Sequence, residues 1–362
     1  LRKINTDIKE KGQKIVVMGG SFNPPTVAHF KLMKAAIDAI DAGIGFFVPV
    51  SDAYLKRKMR HKHPPVVLSP ELRIKMLQAM CTDSRMQVCE KEIGTIEART
   101  MPTLISLQED FPNAELYCVM GADKLNLLIH LTEKRNFLDT FRVILFSRES
   151  ESLESTLNKN EKLSGHLEHI VTLPQPEGTD AVSSSLVRER MLNEESCQDL
   201  MCPGAWELFK DFTADDFPDV IDRFKGEHAF LENRFRCQFI WEGITYHTAE
   251  AAFLSSRFKE VSERKVIASC SIEKAVVKAK AQIPYPGWEE ARLDIMESII
   301  KAKFEQNPTL MKKLTDTGNR ILISGNRKQE TFWDIDLYSW VGENNLGKII
   351  MRTRDKNKKT NQ

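Results

Sequence analysis

The sequence predicts an α/β doubly wound parallel sheet in its first half and a mainly α unit in its last third. Three observations carry this expectation. Short apolar runs alternate with segments of helical period between residues 15 and 173, the pattern of strands joined by crossover helices. The run Ile15-Val16-Val17-Met18 leads directly into a glycine-opened stretch at 19–29 and then a helical pattern from Phe30. Backbone N–H groups and a helix N-terminus therefore meet at the carboxyl end of a strand, where such sheets hold anionic ligands. Beyond residue 240 the composition shifts, with four of the five tryptophans among longer amphipathic segments.

In chain order, strands are expected at 15–18, 45–50, 86–89, 115–120, 142–147 and 169–173, and helices at 30–42, 70–81, 101–109, 186–192 and 206–211. Residues 148–168 are charged, serine-rich and aperiodic, which reads as a surface loop. An acidic, proline-containing stretch at 213–222 is the expected linker between a first domain at 15–212 and a second at 223–355. An N-terminal extension at 1–14 and a frayed basic tail at 356–362 complete the division. Helices at 248–261, 272–281, 288–304 and 308–315 and short strands at 238–241 and 321–324 are expected in the second domain.

Composition narrows the function classes. With 52 basic and 51 acidic residues the net charge is +1, which gives no whole-chain electrostatic case for nucleic acid or a membrane. No apolar run approaches the ~20 residues of a membrane span. Seven cysteines without a C-x-x-C read as reduced thiols of a cytoplasmic protein rather than as a disulfide framework or zinc site. No protein-held metal is expected, and homo-oligomerisation is left open. The chain starts at Leu1 rather than Met, which leaves a trimmed N-terminus open.

Four separated motifs mark the first domain: Gly20-Ser21-Phe22-Asn23-Pro24-Pro25-Thr26-Val27-Ala28-His29, Pro49-Val50-Ser51-Asp52-Ala53-Tyr54-Leu55-Lys56, Gly121-Ala122-Asp123, and Ser183-Ser184-Ser185-Leu186-Val187-Arg188. With these, residues 15–212 resemble the Rossmann-like nucleotidyltransferases of the (H/T)-x-G-H type, and specifically nicotinamide or nicotinate mononucleotide adenylyltransferases. The resemblance implies ATP and a pyridine mononucleotide as substrates, with Mg²⁺ accompanying ATP. It needs no side-chain nucleophile, because alignment and charge stabilisation supply the acceleration. Carried onto this sequence, Gly20, Ser21, Phe22, Thr26, His29, Gly121, Asp123, Ser183, Ser184, Ser185 and Arg188 would hold ATP, with His29 donating to the transferred phosphoryl. Ser21, Lys56, Thr100 and Thr103 would hold the mononucleotide, with Lys56 a point charge between the two phosphates and the rest of 57–63 a solvated charged loop. Asp123 reads equally as a helix N-cap, and Thr100 and Thr103 as caps of the helix at 101. Ala28 and Ser185 stand where the family has Gly and Thr. Ile96 and the run Leu127-Leu128-Ile129-His130-Leu131 stand where the family stacks an aromatic pair on the pyridine.

The last third carries Phe224-Lys225-Gly226-Glu227 with Phe230-Leu231-Glu232-Asn233, then Tyr246-His247-Thr248-Ala249-Glu250-Ala251-Ala252-Phe253, Trp288 through Met296, Thr331-Phe332-Trp333-Asp334, and Gly342-Glu343-Asn344-Asn345-Leu346-Gly347. These segments resemble the NADAR (YbiA-like) family, associated with NAD and ADP-ribose metabolism and including N-glycosidases. The resemblance implies an ADP-ribosyl or related N-glycoside ligand. Cleavage at an anomeric carbon passes through an oxocarbenium-like state that a carboxylate stabilises, and Glu250 is the candidate, its pKa raised by burial near Phe253. Trp288 and Trp333 would stack on the base or close the pocket, Asn233, Asp334 and Asn344 would fix sugar hydroxyls, and Gly226 and Arg292 complete the set. Glu250 reads alternatively as a helix-dipole partner, Trp288 as core and Arg292 as a cover on the Trp288 ring. Two departures stand out: Ser324 replaces Glu in the family's Leu-Ile-Glu-Gly-Asn segment, and Asp334 replaces Gly in its Trp-Gly pair.

The whole reads as a bifunctional enzyme of NAD metabolism, an adenylyltransferase joined to an N-glycosidase. The alternatives are a different phosphate acceptor, such as a phosphopantetheine-like one, and a non-catalytic second domain that senses ADP-ribose or NAD.

Overall fold

The computed structural model describes residues 13–97, 99–147, 150–326 and 330–360. The expected N-terminal extension lies outside them up to residue 12, as do the last two residues of the expected tail. The chain divides into two compact units, the first Leu1–Met59 with Val66–Phe217 and the second Arg60–Pro65 with Pro218–Gln362.

The first unit runs β1 (Lys14–Gly20), α1 (Val27–Ile40), β2 (Ile44–Pro49), α2 (Asp52–Met59), α3 (Pro70–Met80), β3 (Met86–Val88), α4 (Thr100–Asp110) and β4 (Glu115–Gly121). It continues through α5 (Leu125–Arg135), α6 (Phe137–Thr140), β5 (Arg142–Ser147), α7 (Ser150–Lys159), β6 (Ile170–Pro174), α8 (Ser184–Leu192) and α9 (Pro203–Glu207). All six strands pair in parallel, in the order β3-β2-β1-β4-β5-β6. Ile15, Val16, Val17 and Met18 of β1 are all buried, as the near-continuous apolar run of a strand covered on both faces requires. One core layer lies on the α4 and α5 side, with Phe46, Leu104, Leu128 and Leu145. The other lies on the α1 and α3 side, with Met33, Ile37, Leu77 and Phe146. The strand order reverses between β1 and β4, which opens a crevice at their carboxyl ends, Gly20 and Gly121.

Several sequence expectations change here. Residues 150–159 of the expected loop form α7, because Leu153 and Leu157, four apart, are buried; Ser164–His169 adds a 3₁₀ turn, and 148–149 lie outside the described residues. Part of the charged run around Lys56 is helix α2, anchored by buried Ala53, Leu55 and Met59. Within the stretch read as a linker, Thr213 and Asp216 close a capping box, and the buried Phe217 ring lies 5.6 Å from that of Phe212.

The second unit contains β7 (Val220–Ile221), β8 (Phe239–Trp241), β9 (Ile244–Tyr246), α10 (Ala249–Ser255), α11 (Val261–Ser269), α12 (Ile272–Ala281) and α13 (Trp288–Glu305). After these come α14 (Pro308–Thr315), β10 (Ile321–Leu322), β11 (Gly325–Asn326), β12 (Ile335–Asp336) and α15 (Asn345–Thr360). It is mainly helical, with α13 at its centre: Met296, Ile299, Ile300 and Phe304 share a core with Ala249 and Ala252 of α10 and with Leu346, Ile349 and Ile350 of α15. The helix expected at 248–261 ends at Ser255, and a separate helix, α11, begins only at Val261. Ser255 and Ser256 donate their hydroxyls to the carbonyls of Ala252 and Phe253, competing with the helix's own amides and ending α10. The tail expected to fray from 355 is instead helical through Thr360. Among the described residues no helix is long and apolar enough to cross a membrane.

Gly347 in the first turn of α15 has no room for a side chain. A Cβ there would stand 2.2 Å from the carbonyl oxygen of Leu322 and 2.4 Å from Asn344 Oδ1. Gly347→Ala is therefore expected to destabilise the second unit by about 2 kcal/mol or more, read as a lower urea midpoint of that unit's transition in the full chain.

Candidate active sites

The loop after β1 is held by buried polar groups. Asn23, fully enclosed, donates from Nδ2 to Val66 O at 2.8 Å and accepts at Oδ1 from Leu68 N at 2.9 Å. Arg73 of α3, also fully enclosed, donates from one terminal nitrogen to Ser21 O at 3.0 Å and Val50 O at 2.9 Å. Phe22 sits at φ 43° and turns its ring inward, 5.0 Å from the His29 ring and 5.6 Å from Phe47. Gly20 is required above it, since a Cβ would come within 2.9 Å of that ring. Phe22 thus supports His29 from beneath.

Thr26 caps α1 and orients His29. The Thr26 backbone N–H donates to His29 Nδ1 at 3.0 Å, and the Thr26 hydroxyl lies 2.8 Å from the same nitrogen. A backbone amide can only donate, so Nδ1 is the unprotonated nitrogen and Nε2 carries the hydrogen. Burial pushes the His29 pKa down to about 4, so the ring is neutral at physiological pH. His29 lines a cleft of about 690 Å³ at the carboxyl ends of β1, β4 and β5, together with Gly19, Gly121, Asp123 and Ser147. A Cβ at Gly121 would lie 2.5 Å from Asp123 Oδ1, so a larger residue there would push that carboxylate aside. Asp123 itself pairs with Lys124 at 2.6 Å.

The serine motif reaches the same loop. Ser183 caps α8 by accepting from Leu186 N, Ser184 Oγ donates to Pro24 O at 2.7 Å, and Arg188 donates to Asn23 O at 2.7 Å and to Ser185 Oγ at 3.0 Å. Burial holds the Arg188 pKa below its ordinary value. Lys56 lies on α2 with its ammonium 2.7 Å from Asp52, while Lys58 is the lysine that touches Ser21. Thr100 opens α4, and the Thr103 hydroxyl is 2.7 Å from Glu92 Oε1 and 3.0 Å from Arg99 O. Ile96 and Leu127 are exposed. Lys58 and Arg73 were not singled out from sequence. An arginine at an apolar-periodic position of the 70–81 helix was the one available signal.

In the second unit, the Glu250 backbone N–H donates to Asn233 O at 2.9 Å and its carboxylate lies 3.7 Å from Arg234. Asn233 Oδ1 is buried with no hydrogen-bond partner among the described residues. Phe253, one turn beyond Glu250, contacts both Trp288 at 5.3 Å and Trp333 at 5.2 Å. Trp288 is buried, and its indole N–H donates to Ser256 Oγ at 2.9 Å. Arg292 stacks on the Phe332 ring, 3.4 Å from its centroid, rather than on Trp288. The buried Asn344 spends its amide on Ser324 N and Leu322 O. Asp334 accepts from the Ser324 hydroxyl and the Asn326 amide. Gly226, at φ 59°, opens a 3₁₀ turn before Asn233. Lys303, fully enclosed in α13, donates to Phe230 O at 2.8 Å and Glu232 O at 2.9 Å, fixing the segment that leads to Asn233, and burial lowers its pKa to about 8.

Two folds and two sites define a nucleotidyltransferase-like unit followed by a separate helical one, and the family models agree. Residues 17–190 match the cytidylyltransferase-like model and residues 220–357 the NADAR domain model, so the chain joins these two units. A Staphylococcus saprophyticus protein named "Probable nicotinate-nucleotide adenylyltransferase" is 26% identical over 204 residues, 55% of this chain and 96% of that protein. An N-glycosidase of Acanthamoeba polyphaga mimivirus is 34% identical over 80 residues, 19% of this chain and 46% of that protein, so the chain spans under half of this viral relative. The solution structure of the E. coli protein YbiA is 22% identical and matches 40% of this chain and 88% of that one, with a TM-score of 0.36.

The His29 environment predicts a titration. Between pH 6.5 and about 4 the unfolded chain takes up a proton that folded His29 refuses, so its contribution to stability is intact above 6.5 and lost as the pH falls through this window. Long-range ¹H–¹⁵N NMR is expected to show a neutral Nε2–H ring at pH 5.5, with a midpoint of about 4.

Proposed function

We propose that the chain is a bifunctional enzyme of NAD metabolism. The first unit transfers the adenylyl group of ATP to nicotinate or nicotinamide mononucleotide, and the second hydrolyses an ADP-ribosyl or related N-glycosidic bond. The observation that carries the first half is the neutral Nε2–H imidazole of His29 facing a nucleotide-sized cleft at the β1–β4 crevice. A phosphate oxygen of the acceptor bonds to the α-phosphorus, the bond to the α–β bridging oxygen breaks, and pyrophosphate leaves with the electron pair. His29 keeps its proton throughout and donates a hydrogen bond to the α-phosphoryl oxygen, where negative charge grows. Mg²⁺ enters with ATP, as part of the substrate. Gly20, Ser21 and Thr26 present the loop to the phosphates, and Ser183 through Arg188 close on it from α8. The name of the Staphylococcus relative supports this reaction class.

The second half rests on Glu250 beside the unpaired Asn233 oxygen. An acceptor buried without a partner is costly unless a ligand donor fills it, and a ribose hydroxyl is such a donor. Glu250 would then stabilise or activate at the anomeric carbon, as the viral N-glycosidase relative supports. The free thiols of all seven cysteines support a reducing, cytoplasmic setting. A second reading, an acceptor without a pyridine ring, is favoured by the exposed Ile96 and Leu127 where ring-stacking aromatics were expected.

Pyrophosphate release is measured with ATP and each mononucleotide in turn. Dinucleotide formation that His29→Ala lowers by about 10²–10³ in kcat is expected, the loss of one donor to developing charge. Silence of the wild type with both acceptors would sink the pyridine reading. For the second unit, Glu250→Gln is expected to reduce cleavage of an ADP-ribosyl N-glycoside by at least about 10²-fold, the lower end for a general acid–base group, while adenylyl transfer stays unchanged. Undiminished cleavage would remove Glu250 from the chemistry, and ligand-dependent adenylyl transfer without cleavage would make the unit a sensor.

A further inference from the structure

Helix α2 carries Lys56, Arg57 and Lys58 in its last turn. Residues two apart on a helix do not face the same side, so a ligand beside the helix meets one of the two lysines. The contacts sort them. The Lys56 ammonium is spent on Asp52, 2.7 Å away and one turn back. The Lys58 ammonium lies 2.9 Å from Ser21 Oγ, and no carboxylate among the described residues stands within ion-pair distance of it.

An ammonium can only donate, so Ser21 accepts from Lys58 and keeps its own hydroxyl hydrogen for another acceptor. Arg188 approaches the same loop through Asn23 O, while its other terminal nitrogen donates to Ser185 Oγ of its own helix. The Lys58 side chain is exposed, and partial desolvation, followed by the charges of Arg188 and Lys124, holds its pKa below its ordinary value. Among the described residues, Lys124 alone of these three cations has a carboxylate within ion-pair distance, that of Asp123. Like charges beside a hydroxyl hydrogen left free to donate favour the entry of an anion.

We propose that Lys58, rather than Lys56, is the lysine that binds a phosphate oxyanion at Ser21, with Arg188 as the opposing cation. The inference rests on the phosphate-handling reading of the first unit. The oxyanion belongs either to the triphosphate of the donor or to the monoester of the acceptor, and both sources are tested.

Inorganic tripolyphosphate and nicotinate mononucleotide are titrated separately into the full chain by calorimetry, for wild type, Lys58→Ala and Lys56→Ala. Lys58→Ala is expected to weaken one of the two probes by about tenfold, the worth of one charge-assisted contact, and Lys56→Ala to cost that probe several-fold less. The probe affected names the source. A change under twofold for both probes in Lys58→Ala, an equal or larger loss in Lys56→Ala, or no binding of either probe by the wild type overturns the assignment. Neither titration needs turnover. Loss of probe binding in Lys58→Ala, with no dinucleotide made by the wild type, would therefore sink the proposed reaction and leave the anion site standing.

Discussion

The hydrogen bond from the Thr26 amide to Nδ1 of His29 is the constraint on which the first site depends. It uses an N–H that the start of α1 leaves without an intrahelical partner, so the same bond that caps the helix chooses the tautomer of the ring. Burial then keeps the ring neutral. A neutral Nε2–H can stabilise charge that develops on a phosphoryl oxygen and has no second proton to lose. Helix geometry, tautomer and chemical role are thus one local arrangement, with the Phe22 ring beneath to fix the plane.

The loop that carries this arrangement is pinned at a cost. Arg73 is fully enclosed and spends one nitrogen on the carbonyls of Ser21 and Val50, while its Nε and other terminal nitrogen are buried without hydrogen-bond partners. Burying a guanidinium so incompletely satisfied is unfavourable, and that burial lowers its pKa. What it secures is the position of two carbonyls, one after β1 and one after β2, at the carboxyl edge of the sheet. Asn23 does the same for the chain at Val66 and Leu68, with both its amide nitrogen and its amide oxygen hydrogen-bonded. The strain is concentrated where phosphate would be held, as expected when a rigid scaffold presents a loop for binding.

The sheet was legible from sequence because its strands are buried on both faces and read as short, nearly unbroken apolar runs. The helices were legible where an apolar face was wide. Leu153 and Leu157 were hidden because two buried residues in a run of Ser and Glu make too weak a period to register. Helix α2 was lost in a similar way, its three buried residues masked by the charged run that follows. With the helix went the means of separating Lys56 from Lys58, since only helical geometry tells two neighbouring lysines apart. The break after Ser255 was illegible for a different reason: it depends on hydroxyls bonding to carbonyls three residues back and on Trp288 and Tyr246 arriving from elsewhere in the chain. A core role was legible for Trp288, whereas the structural roles of Phe22 and Asn344 were not. Asn344 serves the backbone and Phe22 and Trp288 the core.

The two departures of the second unit from the NADAR segments it resembles show why a motif should be read in space. Along the chain, a Glu lost at Ser324 and an Asp gained at Asp334 look like unrelated changes, one removing a charge and the other adding one. In the structure the Ser324 hydroxyl donates directly to the Asp334 carboxylate at 2.5 Å. These two side chains meet beside the paired strands β11 and β12, with Asn326 donating to the same carboxylate and Asn344 holding the Ser324 amide. A serine offers a donor that a glutamate could not supply when ionised, and an aspartate offers the acceptor that a glycine lacks. The two residues of this chain are therefore complementary, a hydroxyl donor just before β11 meeting a carboxylate just before β12, a pairing visible only across the strand pair.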